Sequence, residues 1–259
     1  MKKLLLPVLF TSFLLALGGA SWAQMVGTNC FVQGTYLDIG MNGNASFGAC
    51  NANGAIPASY HRHTFAGAPP TGTSMAETYD YGKDGWTVGA PVFMGDYTYP
   101  GSPFEGWMIQ IGAQRAQAFQ NCGGTYTAAG VTLTGSHTGY TAAGGRQIGT
   151  WTGNATSPSG NLAIRQETRI DAAASAVVVT TVMRNTGATA TGDVYYMRTC
   201  DPDNDQTWPG GGFWTHNVIV HQNEDARHRV MVSSVGATGA ASYMALGTKD
   251  CRARCGIYG

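Results

Sequence analysis

Apolar and polar positions alternate along much of this chain, and the alternation has the two-residue period of strands. From Phe31 to Ile39, Phe, Val, Thr and Leu alternate with smaller or polar residues. Asn42-Gly43-Asn44 then supplies turn chemistry before Ser46-Phe47, so a hairpin is expected here. Residues 51–74 are rich in Asn, Gly, Ala and Pro and read as a long loop with a short strand at 60–65. Lys83-Asp84-Gly85 marks a turn before Trp86. Tyr99-Pro100-Gly101-Ser102-Pro103 turns the chain into a strand at 104–111, and 113–121 suits a helix or a strand equally. Between 125 and 171 the pattern predicts three or four strands, split by Gly/Ser/Asn turns at 135–136, 144–145 and 153–161. Strands at 161–170, 177–184 and 194–199 are expected to form an antiparallel meander. Further strands are expected at 218–221, 229–233 and 243–246, and Cys251 opens another strand-like segment. No amphipathic helix or repeat period interrupts this reading. The pattern predicts an all-β fold: one antiparallel β-sandwich domain spanning 24–259.

Residues 1–23 fall outside that domain. Lys2 and Lys3 precede an apolar run from Leu4 to Leu17, and Ser21-Trp22-Ala23 is a small-x-small cleavage site, the form of a secretory signal peptide. Localisation is therefore expected to be secreted or cell-surface, with no membrane span after cleavage. The remaining 236 residues hold two Lys and eleven Arg against eleven Asp and four Glu, a net charge of −2. That balance gives no reason to expect nucleic acid as a partner. Scarce charge with abundant Gly, Thr, Ala and Asn suits a turn-rich extracellular β protein. Six cysteines, Cys30, Cys50, Cys122, Cys200, Cys251 and Cys255, favour a disulfide-stapled fold in that setting. Cys30 with Cys50 is the preferred local bridge. Cys251 and Cys255 have half the spacing of a zinc site, but no second pair follows. The chain stops at Gly259 without a closing turn, which suggests the N-terminal part of a longer protein.

The densest chemistry lies at 194–217, where a strand breaks at Asp201-Pro202. Asp201, Asp203 and Asp205 fall at alternate positions, and with Asn204 they offer oxygen donors suited to Ca²⁺. Gln206 and Gly212 exclude an EF-hand loop. The alternative is a solvated turn capped by Asp201 and Asn204. Asp96 and Glu105 flank the Pro-Gly turn at 100–101 and are the one sequence-local pair that could act on a glycosidic bond. A hydrogen-bonding pair is the commoner use of such residues. His61 and His63 share one strand face, but none of His137, His216, His221 and His228 is marked by spacing as a third zinc ligand. No nucleophile elbow or phosphate loop is present. Trp86, Tyr97, Tyr99, Trp107, Trp208 and Trp214 sit in or beside expected loops, where aromatic rings stack on sugars or anchor the loop.

Three pieces resemble the N-terminal region of large exported surface and adhesin-like proteins of gliding bacteria, cargo of the type IX secretion pathway. They are C-F-V-Q-G-T-Y-L-D-I-G at 30–40, G-D-Y-T-Y-P-G-S-P-F-E-G-W at 95–107, and Y-M-R-T-C-D-P-D-N-D at 196–205 with T-K-D-C-R-A-R at 248–254. The strand order over 161–205 also resembles the supersandwich of sugar-binding β proteins. The first resemblance implies a non-catalytic cell-surface or adhesion module, which calcium at the acidic loop would stabilise. The alternative is a secreted carbohydrate-active protein, either a glycan-binding module or a glycoside hydrolase. In that case Trp86, Asp96, Tyr97, Tyr99, Glu105 and Trp107 are the expected sugar-facing residues, and the partner is an extracellular glycan or cell-surface polymer.

Overall fold

The computed structural model describes residues 24–62, 73–86, 94–98, 105–119, 126–205, 212, 214–222, 226–237 and 241–257. The expected signal peptide, His63, Tyr99, Cys122 and Trp208 lie outside them. The first sheet has the order β1 (Gln24–Val26), β2 (Asn29–Gln33), β3 (Leu37–Met41), β6 (Glu77–Asp80) and β7 (Met94–Asp96). Beside it, β4 (Ala49–Cys50) pairs with β5 (Ser74–Met75). The second sheet runs β10 (Tyr126–Ala129), β9 (Gln114–Phe119), β8 (Glu105–Ile111) and β15 (Val194–Cys200). The third runs β11 (Thr132–Ala143), β12 (Arg146–Ser157), β13 (Gly160–Asp171) and β14 (Val177–Asn185). The fourth runs β16 (Thr215–Gln222), β17 (Val230–Gly236) and β18 (Tyr243–Thr248).

The all-β antiparallel class expected from the sequence stands. Its arrangement differs: the sheets are disposed like the blades of a four-bladed propeller, where the pattern predicts one sandwich. The length of β11, β12 and β13, twelve residues each, accounts for this. At about 3.3 Å per residue, such strands reach roughly 40 Å, enough to face two neighbours. One end of the third sheet presents Leu133, Trp151, Ala155, Leu162 and Ile164 to Trp107, Ile109, Ile111, Ala116 and Ala118 of the second. Its other end presents Ile170, with Val177 and Val179, to Val32, Leu37, Ile39 and Met41 of the first. No helix among the described residues is long and apolar enough to cross a membrane.

Several local expectations are corrected. The strand expected from Phe31 to Ile39 is two strands, because Gly34, Thr35 and Tyr36 turn the chain and Gln33 pairs with Asp38. The expected turn at 42–44 is present: Asn42 and Asn44 are both fully buried, and each side-chain oxygen accepts the N–H two residues on, at 3.1 and 3.0 Å. Within the segment 113–121, Gln114–Phe119 is strand β9. Gly144 and Gly145 form the expected turn with φ of 61° and 72°. The glycines at 135 and 153, however, lie inside β11 and β12. A Cβ at either would stand 2.1 or 2.3 Å from the Trp151 ring, so they mark a close approach rather than a turn. The expected three-strand meander is also broken: β14 pairs with β13, but β15 leaves to pair with β8. Residues 251–257 form no strand.

The proposed Cys30–Cys50 bridge does not form. Cys30 is a free thiol, fully buried, and burial pushes it up to about 12. Cys50 is disulfide-bonded, but Cys200, Cys251 and Cys255 are free like Cys30, so none of these four is its partner.

Candidate functional site

The aromatic and acidic residues singled out from the sequence divide into three groups. The first surrounds Asp96 and Glu105, which are 0% and 3% exposed. Asp96, at the end of β7, accepts the N–H groups of Ala76 at 2.7 Å, Glu77 at 2.9 Å and Thr98 at 3.4 Å. It thereby ties β7 to the chain entering β6. Burial pushes its carboxyl up to about 6 against those three donors. Glu105 opens β8; its Oε2 accepts the Phe47 N–H at 2.7 Å and its Oε1 lies 2.6 Å from the Arg198 Nε. Arg198 comes from β15, and its guanidinium stands 4.5 Å from the centroid of the Phe47 ring. This ion pair, 3% and 10% exposed at its two ends, helps explain why β15 joins β8. Burial raises Glu105 despite Arg198. Glu77 on β6 completes the group, pushed up to about 7 by burial and then by the charges of Asp96 and Glu105.

Trp107 and Tyr97 are buried beside this acidic centre, 0% and 2% exposed. The Trp107 Nε1–H donates to the Asn44 carbonyl at 2.9 Å, and its ring meets Trp151 edge-on at 5.5 Å. These rings are core, not sugar platforms. Tyr97 accepts the Asp203 N–H on its carbonyl at 3.2 Å.

The second group is the acidic loop after β15. Among the described residues no three His, Cys, Asp or Glu side chains come together as a metal-holding group. Asn204 and Asp205 are fully buried instead. The Asn204 Nδ2 donates to the carbonyls of Ser234 and Ser242, each at 2.9 Å. Asp205 Oδ1 accepts the Ser242 hydroxyl at 2.5 Å and its N–H at 3.2 Å. These bonds anchor the loop to β17 and to the chain entering β18. Asp203 is pushed up to about 6 by burial and then by the Asp201 charge, while Asp201 is exposed.

The third group includes two residues that sequence reasoning did not connect. The His61 and Trp86 rings stack at 3.8 Å with planes 4° apart. Asp38 on β3 is fully buried and sits beneath His61: its Oδ2 is 2.9 Å from the His61 Nδ1 and accepts the His61 N–H at 2.8 Å. The Gln33 side chain donates to the same oxygen at 2.9 Å. Burial raises Asp38 despite these partners. Trp86 is held in the left-handed region, φ 65°, by two bonds: its N–H donates to Asp80 at 3.1 Å and its Nε1–H to the Thr35 carbonyl at 2.9 Å. The i, i+2 spacing with His63 marks His61 in the sequence; only the fold supplies Asp38, 23 residues earlier, as its partner. His63, the other member of that pair, lies outside the described residues. Trp214 is 79% exposed and away from these groups' hydrogen bonds.

Compared with protein-family models, with curated proteins and with solved structures, the chain finds no match in any of the three.

Proposed function

We propose that this chain is a secreted, non-catalytic module that displays or binds at the cell surface, in the manner of the exported adhesin-like proteins its motifs resemble. The observation that carries the reading is the burial of Asp96 and Glu105. A glycosidase pair must flank a sugar across a water-accessible gap. Here one carboxylate holds backbone N–H groups and the other holds Arg198, so both are committed to internal partners. The acidic loop enters this reading as a strut between sheets rather than as a calcium site. The face-to-face packing of the third sheet on the second is the sandwich-like part of the architecture.

The test is turnover against a panel of polysaccharides with purified secreted protein. No release of reducing ends is expected. Hydrolysis abolished by Glu105→Gln under conditions where the variant remains folded refutes the reading in favour of a glycoside hydrolase. A glycan-binding version of the same module is favoured by one observation, the half-exposed Trp86–His61 stack, and Trp86→Ala tests it by loss of glycan retention.

A further inference from the structure

The outward face of the third sheet holds an open cavity of about 440 Å³. Alternation along β12, β13 and β14 defines what lines it. Ile164 belongs to the core, and the Cβ directions of Gly135 and Gly153 point at Trp151 on the core side. All three residues therefore offer only backbone to the cavity. Its side chains come from the opposite face: Thr134, Thr152 and Asn154, then Ala163 and the exposed Val182, which pairs with Arg165 across the strands, with Arg165 and Arg184. Register places Ala163 between Asn154 and Arg184, so a small residue forms the floor, and Val182 adds an apolar patch between the two arginines of the rim.

The face is electropositive in a chain that is neutral overall. Arg146, Arg165, Arg169 and Arg184 share it with only Glu167 and Asp171. Asp171 is engaged by Arg146 at 2.7 Å and by Arg169 at 3.6 Å, and Glu167 by Arg165. Arg184 forms no ion pair among the described residues. Two guanidinium groups on a rim of hydroxyl and amide groups suit a carboxylate or sulfate borne on a polyhydroxyl body. Among the described residues no aromatic ring lines the cavity, so it offers none of the stacking platform a single-stranded nucleic acid uses. The volume falls in the range of about 300–1,000 Å³ typical of small-ligand sites.

We propose that this cavity binds an acidic saccharide, with the anionic group held between Arg165 and Arg184 and the sugar hydroxyls on Thr134, Thr152 and Asn154. The proposal rests on the display reading above and names its ligand class. The two fail separately, since turnover of a glycan overturns the reading and the binding data below overturn only the site.

The experiment is affinity electrophoresis and calorimetry of the full chain with polygalacturonate, chondroitin sulfate, neutral dextran and a single-stranded oligonucleotide. The acidic polysaccharides are expected to bind, more weakly as salt rises, and dextran not at all. Polygalacturonate against chondroitin sulfate separates a carboxylate from a sulfate as the preferred anion. Arg165→Gln/Arg184→Gln is expected to weaken binding by roughly tenfold or more, whereas Arg252→Gln/Arg254→Gln, on an exposed segment elsewhere, leaves it unchanged. Unaltered thermal melting of both variants keeps the comparison valid, and Thr152→Val provides a neutral variant expected to weaken binding without changing charge. Failure of the wild type to bind either acidic polymer, equal binding of dextran, tighter binding of the oligonucleotide, or full retention by the Arg165/Arg184 double variant each overturns the proposal.

Discussion

Replacing His137 with glutamine isolates one buried titration from several opposing ones. His137 lies on β11, 7% exposed, and its Nε2–H donates to the Asn42 carbonyl at 2.8 Å. Burial lowers the imidazole to about 4 from an ordinary 6.5. Between those values the unfolded chain binds a proton that the folded chain refuses. The stability this group contributes is therefore present above pH 6.5 and is lost as pH falls toward 4. At about 1.4 kcal/mol for each pH unit between 6.5 and about 4, the loss is about 3 kcal/mol. Glu77 and Asp96 act the other way. Their folded carboxyls are raised to about 7 and about 6, so they oppose folding at neutral pH and relent as acid protonates them. The wild-type pH profile alone mixes these signs. The difference between wild type and His137→Gln does not, because both proteins share the carboxylates. Urea unfolding followed by tryptophan fluorescence from pH 7 to pH 4 measures it. The variant is expected to gain on the wild type by about 3 kcal/mol across that interval, whatever the offset at pH 7. A difference that stays flat with pH refutes the reasoning, for it means the imidazole is solvated or accepts its proton in place.

Glu77→Gln is expected to stabilise the fold by about 1–3 kcal/mol at pH 8 and by little at pH 4.5, since the folded carboxyl titrates at about 7; calorimetry at the two pH values checks this. Arg198→Met leaves Glu105 buried without its cation and is expected to lose about 3–5 kcal/mol, partly recovered in the Glu105→Gln/Arg198→Met double variant, as read from denaturant midpoints. Asn204→Ala removes the two donors to Ser234 and Ser242 and is expected to lose about 1–3 kcal/mol, with faster amide exchange in β16–β18. Millimolar Ca²⁺ is expected to shift the melting temperature of neither wild type nor Asn204→Ala; a clear rise would restore the acidic loop as a calcium site.

Strand content was legible because alternation is local. The limits of β8, β13, β14 and β15 fall within a residue or two of the pattern. What alternation cannot report is which strands meet. Three successive strands read as a meander, yet the third carries Arg198, whose buried partner Glu105 lies in another sheet. Glycine was misread for a similar reason. Gly135 and Gly153 resemble turn markers only while the Trp151 ring above them is unseen. The same blindness to distance hid Asp38 beneath His61. It also made the buried pair Asp96 and Glu105 look like an accessible one, because a turn between two acids says nothing about what packs over them. Asn204 was grouped with calcium ligands on its neighbours' charge, although its amide bonds to two carbonyls more than 29 residues away.

The departure of β15 has a consequence for the order in which the chain can assemble. β11 through β14 pair only with sequence neighbours, so their contacts close short loops and can form early. β8 must keep its edge open until Val194–Cys200 arrives opposite Glu105–Ile111. During synthesis from the N-terminus, the second sheet therefore waits for the whole third sheet to emerge before its last strand can be added. An open strand edge is a template for pairing with another chain. The interval between the appearance of residues 111 and 194 is a window in which that edge is open to misassembly, and the Glu105–Arg198 pair is among the contacts that end it.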